Sequence, residues 1–353
     1  MARMARMAPM APMARTRRMA PMVRMAPMGN GSGLLILTVT RACNLRCSYC
    51  PTAKDGWPSL TVTDAKRALG LFVGSFGGGD VKIFGGEPLL VPDVVRAAMD
   101  LAATEPAIRW IQLSTNGLGL DDRWLAYLDQ NPKAVLAVSL DGEATDHRRF
   151  RRSLPGVADS YSRIRELVPK LVAMRRVVTT QTIPPAGAAR AAQNFRHLLE
   201  LGFFRFNFLP GYYLPWSDAQ LGALRDAFSE IAELVRERWQ AGKRVHVRNL
   251  FTLAATPFFN TGLVVDSDRS IHPSNLGLSA SLDHLRTLTQ VGTLDAPPSS
   301  DLLGEVSARV PMMLEQALSP EILGSTRAAD AELTRFCRSL YPSYLEYRRR
   351  RAA

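Results

Sequence analysis

The sequence predicts an α/β fold: a partial (β/α)6 TIM-like barrel followed by a small α+β C-terminal module. Three observations predict this class. Short runs rich in Leu, Ile and Val alternate with amphipathic helical stretches, polar or Gly-containing motifs follow the strand runs, and the alternation stops after about Lys243. Alternating strands and helices imply a parallel sheet, and right-handed crossovers curl such a sheet towards a barrel. In barrels of this kind the chemistry lies at the C-terminal ends of the strands.

The β-α units follow one another in chain order. The long helix after the sixth strand begins with a capping box formed by Ser217 and Gln220, and its apolar residues recur with the helical period of 3.6. The predicted strands are Leu34–Thr40, Val81–Phe84, Trp110–Ser114, Ala134–Leu140, Arg176–Ile183 and Phe204–Leu209, and the predicted intervening helices are Thr63–Phe72, Val91–Ala103, Asp122–Leu128, Ser160–Leu171 and Ala188–Leu201.

The C-terminal part has a different pattern. Leu263–Ile271 is typical of a hairpin that turns at Asp266–Arg269, and the last fifty residues are helical. We therefore predict three regions: a disordered tail over residues 1–30, a core barrel over residues 31–242, and a separate module over residues 243–353.

The tail consists of repeats of Met, Ala, Arg and Pro and holds nine of the thirteen Met residues. Its prolines interrupt any helix, and its composition cannot bury a core. We interpret it as a disordered extension with a natural start at Met25 or Met28.

Charge and composition exclude several classes of protein. The formal net charge is +12, but six Arg lie in residues 1–27 and four more in Arg348–Arg351, which leaves a body of about +2. A basic nucleic-acid face is therefore poorly supported.

No apolar run approaches the roughly 18–20 residues of a membrane span. Three of the four Cys lie in one short loop, which indicates a reducing compartment, and we expect the cytoplasm.

The segment Thr40–Pro51 carries that loop, with cysteines at Cys43, Cys47 and Cys50. Three thiolates at this spacing can surround one face of an iron–sulfur cube. Because cubane clusters normally take four Cys ligands, three leave one iron without a protein ligand. A zinc knuckle is the alternative, but structural zinc usually takes four protein ligands in paired Cys-x2-Cys elements, and the sequence has no second pair.

The Cys-x3-Cys-x2-Cys pattern after a short strand, with Tyr49 before the last Cys, resembles the radical S-adenosylmethionine (radical SAM) superfamily. The resemblance implies a [4Fe–4S] cluster ligated by Cys43, Cys47 and Cys50. Its open iron would bind the amino and carboxylate groups of SAM. One-electron reduction would cleave SAM to methionine and a 5′-deoxyadenosyl radical, which abstracts hydrogen from a substrate.

The same resemblance assigns cofactor contacts after the later strands. Gly85, Gly86 and Glu87 match the motif that holds the SAM amino group, and the glycines let backbone approach a ligand closely. Thr115 lies in the loop near the SAM carboxylate. Ser139 and Asp141 match the ribose contact, with Ser139 preferred.

Further positions carry weaker expectations. Arg151 matches the Arg of a His-Asp-x-x-Arg pattern that relatives carry, while Arg148 replaces its Asp; an Arg here could pair with the SAM carboxylate, or the segment could be a solvated charge cluster. Thr179 and Gln181 could face SAM or fill the barrel interior. No catalytic residue is assigned, and the candidates for a substrate pocket have structural roles that are at least as plausible: Asn207, Tyr212, Tyr213, Trp216 and His272.

The hairpin and helices of the C-terminal module are similar to the SPASM/twitch branch, whose members bind auxiliary clusters there. Here Ser274 stands where the first Cys is expected, and only Cys337 remains. We therefore predict a single cluster, a degenerate module without an auxiliary cluster, and a structural or remnant role for Cys337.

The sequence thus predicts a radical SAM enzyme that acts on a peptide or a small metabolite. It would take electrons from a donor such as flavodoxin or ferredoxin and would contact neither membrane nor nucleic acid. The alternative is a non-catalytic Fe–S or SAM-binding regulator or scaffold derived from such an enzyme. Intact Gly85, Gly86, Glu87 and Ser139 argue against that alternative, because a non-catalytic descendant needs no SAM contacts.

Overall fold

The structure is a computed structural model that describes residues 33–251 and 261–352. The predicted disordered tail lies outside these residues. The strands are β1 (Gly33–Thr40), β2 (Leu45–Cys47), β3 (Gly79–Gly85), β4 (Ile108–Thr115), β5 (Ala134–Ser139), β6 (Arg151–Ser153), β7 (Val177–Ile183), β8 (Arg205–Pro210), β9 (His246–Val247), β10 (Thr261–Val265), β11 (Ser270–Ser274) and β12 (Gly292–Thr293). The helices are α1 (Val62–Phe76), α2 (Pro92–Thr104), α3 (Asp122–Gln130), α4 (Ala144–Phe150), α5 (Ser160–Ala173), α6 (Ala191–Glu200), α7 (Asp218–Gln240), α8 (His284–Thr289), α9 (Ser300–Ala317) and α10 (Pro320–Ala352).

The central sheet has the predicted architecture. Strands β1, β3, β4, β5, β7 and β8 are adjacent in that order, and each pair is parallel. Across the described residues the sheet stays open between its edge strands, β12 at one side and β9 at the other. The fold class is confirmed as a mixed α/β fold with a largely parallel sheet, consistent with a partial TIM-like barrel.

The two faces of the sheet differ in character. Leu35, Leu37, Val81 and Ile83 are fully or almost fully buried and belong to the core beneath the helices. Residues one position away, such as Lys82, point to the opposite, concave face, because side chains alternate along a strand. This concave face is called the interior below.

The C-terminal hairpin is present, but it continues the main sheet. β10 pairs in parallel with β1, where Ile36 lies opposite Val264, and β11 pairs antiparallel with β10. Residues 243–353 were predicted to form a separate module, yet this pairing satisfies the free edge of β1, which would otherwise expose backbone donors and acceptors. The boundary at residues 242 and 243 stays a prediction.

The long helices close the structure. The capping box of α7 is confirmed, since the backbone N–H of Ser217 donates to Gln220 at 3.0 Å and that of Gln220 donates to Ser217 at 3.3 Å. α10 packs on α7, with the rings of Phe228 and Phe336 stacked 5.0 Å apart. None of the helices in the described ranges combines the length and apolar content needed to cross a bilayer.

Candidate functional site

The three clustered cysteines lie in the loop directly after β1. Cys43, Cys47 and Cys50 are half-buried free thiols. The loop is shaped by its own backbone, because the N–H of Cys50 donates to the carbonyl of Cys47 at 3.1 Å. It is also held by the short pair β2–β6, in which Cys47 lies opposite Arg151. The sequence analysis did not predict α4 or β6, which follow β5 and complete this support.

The thiols are close enough to influence one another. Burial raises the pKa of Cys43, and burial raises that of Cys47 to about 11, with contributions from the neighbouring cysteines. Burial also disfavours the Cys50 thiolate, but the Lys54 ammonium, 3.1 Å from its sulfur, helps to lower the pKa of Cys50 overall. Thiolate is the form that ligates metal, so this loop supplies an appropriate donor set for an iron–sulfur cluster.

A site for one isolated metal ion is a different arrangement. In the described part of the chain, no group of three or more His, Cys, Asp or Glu side chains is placed to hold a single ion. A cubane spreads its irons over separate corners, so its ligands stand further apart than those around one ion.

The glycines at the end of β3 bring that strand against the start of the cysteine loop. Gly85 has a φ of +153°. The N–H of Gly86 donates to Thr40 and that of Glu87 donates to Ala42, both at 2.8 Å. A Cβ on Gly86 would lie 2.2 Å from the carbonyl oxygen of Ala42. These glycines admit the backbone that leads into the cysteine loop, and their contact with SAM stays a prediction.

The carboxylate of Glu87 is buried and oriented by three donors. The hydroxyl of Thr115 and the N–H of Asn116 each donate to it at 2.7 Å, and the N–H of Leu89 donates at 3.1 Å. Burial raises the pKa of Glu87 even though these bonds favour the charged form. The Thr115 hydroxyl is therefore directed at Glu87 within the chain.

Asn116 connects this group to the cysteine loop. Its side-chain amide donates to Asn44 at 2.7 Å, one residue after Cys43. From this loop only Thr115 was predicted to have a role, and Asn116 was not. An Asn-Gly pair is a common turn signal, so its side-chain partner is visible only in three dimensions.

Asp141 and Arg151 pair with each other. Arg151 donates to both oxygens of Asp141, at 2.9 and 3.0 Å, and the hydroxyl of Tyr49 and the N–H of Thr182 also donate to Asp141, at 2.7 and 3.0 Å. Burial acts against the guanidinium, but Asp141 and its neighbours raise the pKa of Arg151. The pair connects β5 and β6 to the cysteine loop through Tyr49, a set of partners different from the SAM groups that the resemblance implies for these residues.

His147 supports this pair from α4. Its Nδ1 accepts from the backbone N–H of Asp141 at 3.3 Å, and its Nε2 lies 2.8 Å from the hydroxyl of Ser160. Burial lowers the pKa of His147 to about 4, so the ring is neutral near pH 7. With Nδ1 as acceptor, the proton resides on Nε2 and is donated to Ser160.

Ser139 fits the predicted cofactor contact best. It is half-buried at the end of β5, faces the interior, and makes no hydrogen bond with the described residues. Its register neighbour on β7 is Thr180. Thr38, on the same face of β1, is fully buried, and its hydroxyl has no hydrogen-bond partner among the described residues. Free hydroxyls on a concave surface suit a polar ligand.

Thr179 and Gln181 do not face the interior. Both are buried on the helix side of β7, where Gln181 donates to the carbonyl of Ala191 at 3.0 Å. Thr180 and Thr182 occupy the interior positions instead. The prediction was wrong by one residue because the strand reads Val-Val-Thr-Thr-Gln-Thr-Ile, which carries no alternation to show which face is buried.

The C-terminal hairpin holds the start of the cysteine loop through a buried ion pair. Arg41 is fully buried, donates to both oxygens of Asp266, and donates to the carbonyl of Gly277 at 3.0 Å. Arg286 also pairs with Asp266. The guanidinium of Arg41 stacks 3.6 Å from the ring centroid of Trp57. We call Arg41, Asp266 and Arg286 the loop clamp.

The other end of the loop contacts the same module. The N–H of Ala53 donates to Leu278 at 3.0 Å, and that of Ala280 donates to Pro51 at 2.9 Å. The cysteine loop is therefore bracketed on both sides by residues 266–280, a connection that the sequence analysis did not foresee.

The remaining candidates lie mostly in the core. Ser274 is buried and caps the following turn by accepting from Leu276 at 3.3 Å, and His272 bonds with Ser270 and Thr289 at 2.8 and 3.2 Å. Trp216 is buried and donates to the carbonyl of Gly211 at 2.8 Å. Cys337 is 1% exposed, and burial raises its pKa to about 12.

The parallel sheet, the three-thiol loop at its C-terminal edge and the buried Glu87 beside that loop define an α/β protein with a cofactor site at one rim. Residues 37–186 match the model of the Radical SAM superfamily. This match agrees with the family that the sequence predicted, whose members use a [4Fe–4S] cluster and SAM.

Curated relatives match part of the chain. The GTP 3′,8-cyclase of Mycolicibacterium smegmatis is 32% identical over 183 residues, which are 50% of this chain and 49% of the relative. The GTP 3′,8-cyclase of Paenarthrobacter nicotinovorans is 34% identical over 130 residues, or 33% and 36%. Human molybdenum cofactor biosynthesis protein 1 is 33% identical over 118 residues, or 32% and 18%. The chain thus spans half or less of the length of these relatives.

Solved structures share the fold. Native anSMEcpe with bound AdoMet and the Cp18Cys peptide has a TM-score of 0.64 at 19% identity, over 91% of this chain and 98% of that chain. Streptococcus suis SuiB bound to the precursor peptide SuiA has a TM-score of 0.57 at 15% identity, over 79% and 67%.

Proposed function

We propose that this protein is a radical SAM enzyme in which Cys43, Cys47 and Cys50 ligate one [4Fe–4S] cluster. The observation that carries the proposal is the proximity of the three-thiol loop to the oriented carboxylate of Glu87, within a matched radical SAM domain. When bound, the cluster supplies an electron to SAM, whose cleavage yields the 5′-deoxyadenosyl radical that abstracts hydrogen from the substrate.

The residues of the chain have separable tasks in this proposal. Glu87 is fixed by Thr115 and Asn116, so its carboxylate can orient the SAM ammonium group directly or through the Gly85–Glu87 backbone. Ser139 offers a free hydroxyl for the ribose. Asp141 and Arg151 position Tyr49 and the cysteine loop. Both oxygens of Asp141 already accept two bonds each, whereas Arg151 uses only Nε and Nη2 in the pair and can offer Nη1 to a cofactor.

The substrate is a peptide or a small metabolite, and the electron donor is a protein such as flavodoxin or ferredoxin. The GTP 3′,8-cyclase names of the sequence relatives favour a small metabolite, whereas the peptides in the structural neighbours favour a peptide.

We further propose that the C-terminal module is a twitch-like remnant without an auxiliary cluster, because Ser274 and Cys337 are both buried in the core.

Anaerobic incubation of reconstituted protein with dithionite and SAM tests the activity. The enzyme should form 5′-deoxyadenosine, and Cys43→Ala should abolish it while the matched control Cys337→Ala retains it. If the wild type binds both cluster and SAM yet forms no 5′-deoxyadenosine, the non-catalytic binding protein becomes the better account.

A further inference from the structure

The interior of the sheet carries cations that have no carboxylate partner. Lys82 on β3 and Arg205 on β8 alternate with core residues that face the helices, so both side chains point inward. Arg248 follows β9 and reaches across to Gln112 on β4. Among the ion pairs of the described residues, none includes these three cations.

The positive charge of Lys82 is the least compensated of the three. It makes no hydrogen bond or ion pair with the described residues, and its ammonium lies 5.0 Å from the ring centroid of Phe84. Burial, followed by the charge of Arg248, lowers the pKa of Lys82 to about 8. The group therefore stays mostly protonated near pH 7, in a place where water solvates it poorly.

Arg248 is held in position, but its charge is not neutralised. It contacts Gln112, which lies opposite Lys82 in the register and donates to Ser114 at 2.9 Å. Burial lowers the pKa of Arg248, and only Asp80 acts in the other direction. Both oxygens of Asp80 already accept bonds from Arg109, at 2.8 and 2.7 Å.

Arg205 extends the positive surface along β8. Its Nη1 is buried and has no hydrogen-bond partner within the described part of the chain, and burial with the charges of Arg244 and Arg176 lowers its pKa. His246 lies opposite Arg205 in the register, and its pKa is lowered by burial and by the charges of Arg205 and Arg248. The segments that the structure does not describe offer no counter-charge from acidic side chains, because residues 1–32 and 252–260 contain neither Asp nor Glu.

Lys82, Arg205 and Arg248 are half-buried, and like charges that are partly removed from water raise the free energy of the folded chain unless a ligand compensates them. We propose that the interior binds an oxyanion, a phosphate or carboxylate group of the substrate, through Lys82 and Arg248, with Arg205 adding positive potential. The guanidinium of Arg248 and the ammonium of Lys82 supply the donors that such oxygens accept. The assignment of this oxyanion to the substrate rests on the proposed function, but oxyanion binding itself does not.

Titration of the full chain, purified anaerobically with its cluster and without SAM or reductant, tests the site. The probes are inorganic phosphate, pyrophosphate and acetate at constant ionic strength, followed by calorimetry and by the shift in melting temperature. Lys82→Gln and Arg248→Gln should each weaken binding of the best probe at least tenfold. The matched controls Lys170→Gln and Arg196→Gln remove exposed charges and should stay within twofold of wild type.

The melting temperature of Lys82→Met provides a second test, which applies even when free anions bind weakly. Lys82→Met removes a half-buried charge that lies beside Arg248, so it should raise the melting temperature without anion and reduce the shift that the anion causes. The preferred probe distinguishes a phosphate from a carboxylate. The proposed site would be overturned if all variants bound the anion with equal affinity. It would also be overturned if the wild type showed no saturable anion binding and Lys82→Met did not raise the melting temperature. Failure of the wild type to form 5′-deoxyadenosine would instead overturn the proposed function and leave these results unaffected.

Discussion

Glu87 shows how much of the site depends on single hydrogen bonds. Its carboxylate is 1% exposed and is kept in one orientation by the Thr115 hydroxyl and two backbone donors. A buried carboxylate that loses a donor has to be protonated or to move. The identity of Glu87 could be predicted from its motif, but the role of Thr115 could not, because a hydroxyl in a turn gives no sign of its partner.

Thr115→Val removes that donor while nearly preserving shape. We expect SAM binding to weaken roughly five- to thirtyfold, corresponding to about 1–2 kcal/mol for one lost hydrogen bond to a charged group. The iron content should stay unchanged. Equilibrium dialysis of SAM against the reconstituted protein measures this, with Thr104→Val, which alters an exposed hydroxyl, as the control. Unchanged SAM affinity would show that the Thr115–Glu87 bond is not part of the binding site.

His147 makes a pH-dependent contribution to stability. Its folded pKa is about 4 against an ordinary value of 6.5, so the unfolded chain binds more protons between these pH values. Stability from this group is therefore full above about pH 6.5 and is lost as the pH falls towards 4. The full effect corresponds to about 3 kcal/mol.

His147→Gln should flatten the pH dependence of unfolding in this window, whereas His284→Gln, at an exposed position, should leave it unchanged. Urea unfolding of cluster-free protein from pH 4.5 to 7 avoids the acid release of iron. Identical slopes for His147→Gln and wild type would contradict a neutral, buried His147.

The elements of the barrel follow local patterns, and they were predictable for that reason. Strands β1 and β5 and helices α1 and α7 have a clear hydrophobic period or a cap. The predicted bounds of β1, β5 and α1 lie within a few residues of the observed ones, and the predicted cap of α7 is present. The short elements α4 and β6 were missed, because the sequence from His147 to Ser153 is dominated by Arg and is too short to show a period. Neither could the pairing of β10 with β1 be predicted, since it joins segments more than 200 residues apart.

The loop clamp is the clearest energetic consequence of that pairing. Asp266→Asn leaves Arg41 buried without its counter-charge and weakens the contact with Arg286, which should cost about 3–5 kcal/mol of unfolding free energy. Iron retention after anaerobic gel filtration should also fall, because Arg41 precedes Cys43 by two residues. Asp295→Asn disrupts exposed pairs with Arg67 and Arg269 and should cost less than about 1 kcal/mol. Equal stability and iron retention in the two variants would remove the clamp from the account.

At the scale of the whole molecule, one sheet carries both the cysteine loop and the C-terminal hairpin, so the module stabilises the loop directly. The cluster-free state of that module is a prediction from the sequence. We expect about four irons per chain, the content of one cubane. Cys337→Ala should retain them and Cys47→Ala should lose them. About eight irons in anaerobically reconstituted protein would show ligands that neither the sequence nor the described residues reveal.

The central claim is that three thiolates hold a cluster whose remaining iron is open to SAM. Electron paramagnetic resonance of the dithionite-reduced protein, recorded with and without SAM, tests it most directly. The account predicts that SAM changes the g-values of the reduced cluster in the wild type. A spectrum that SAM at saturating concentration leaves unchanged would contradict it.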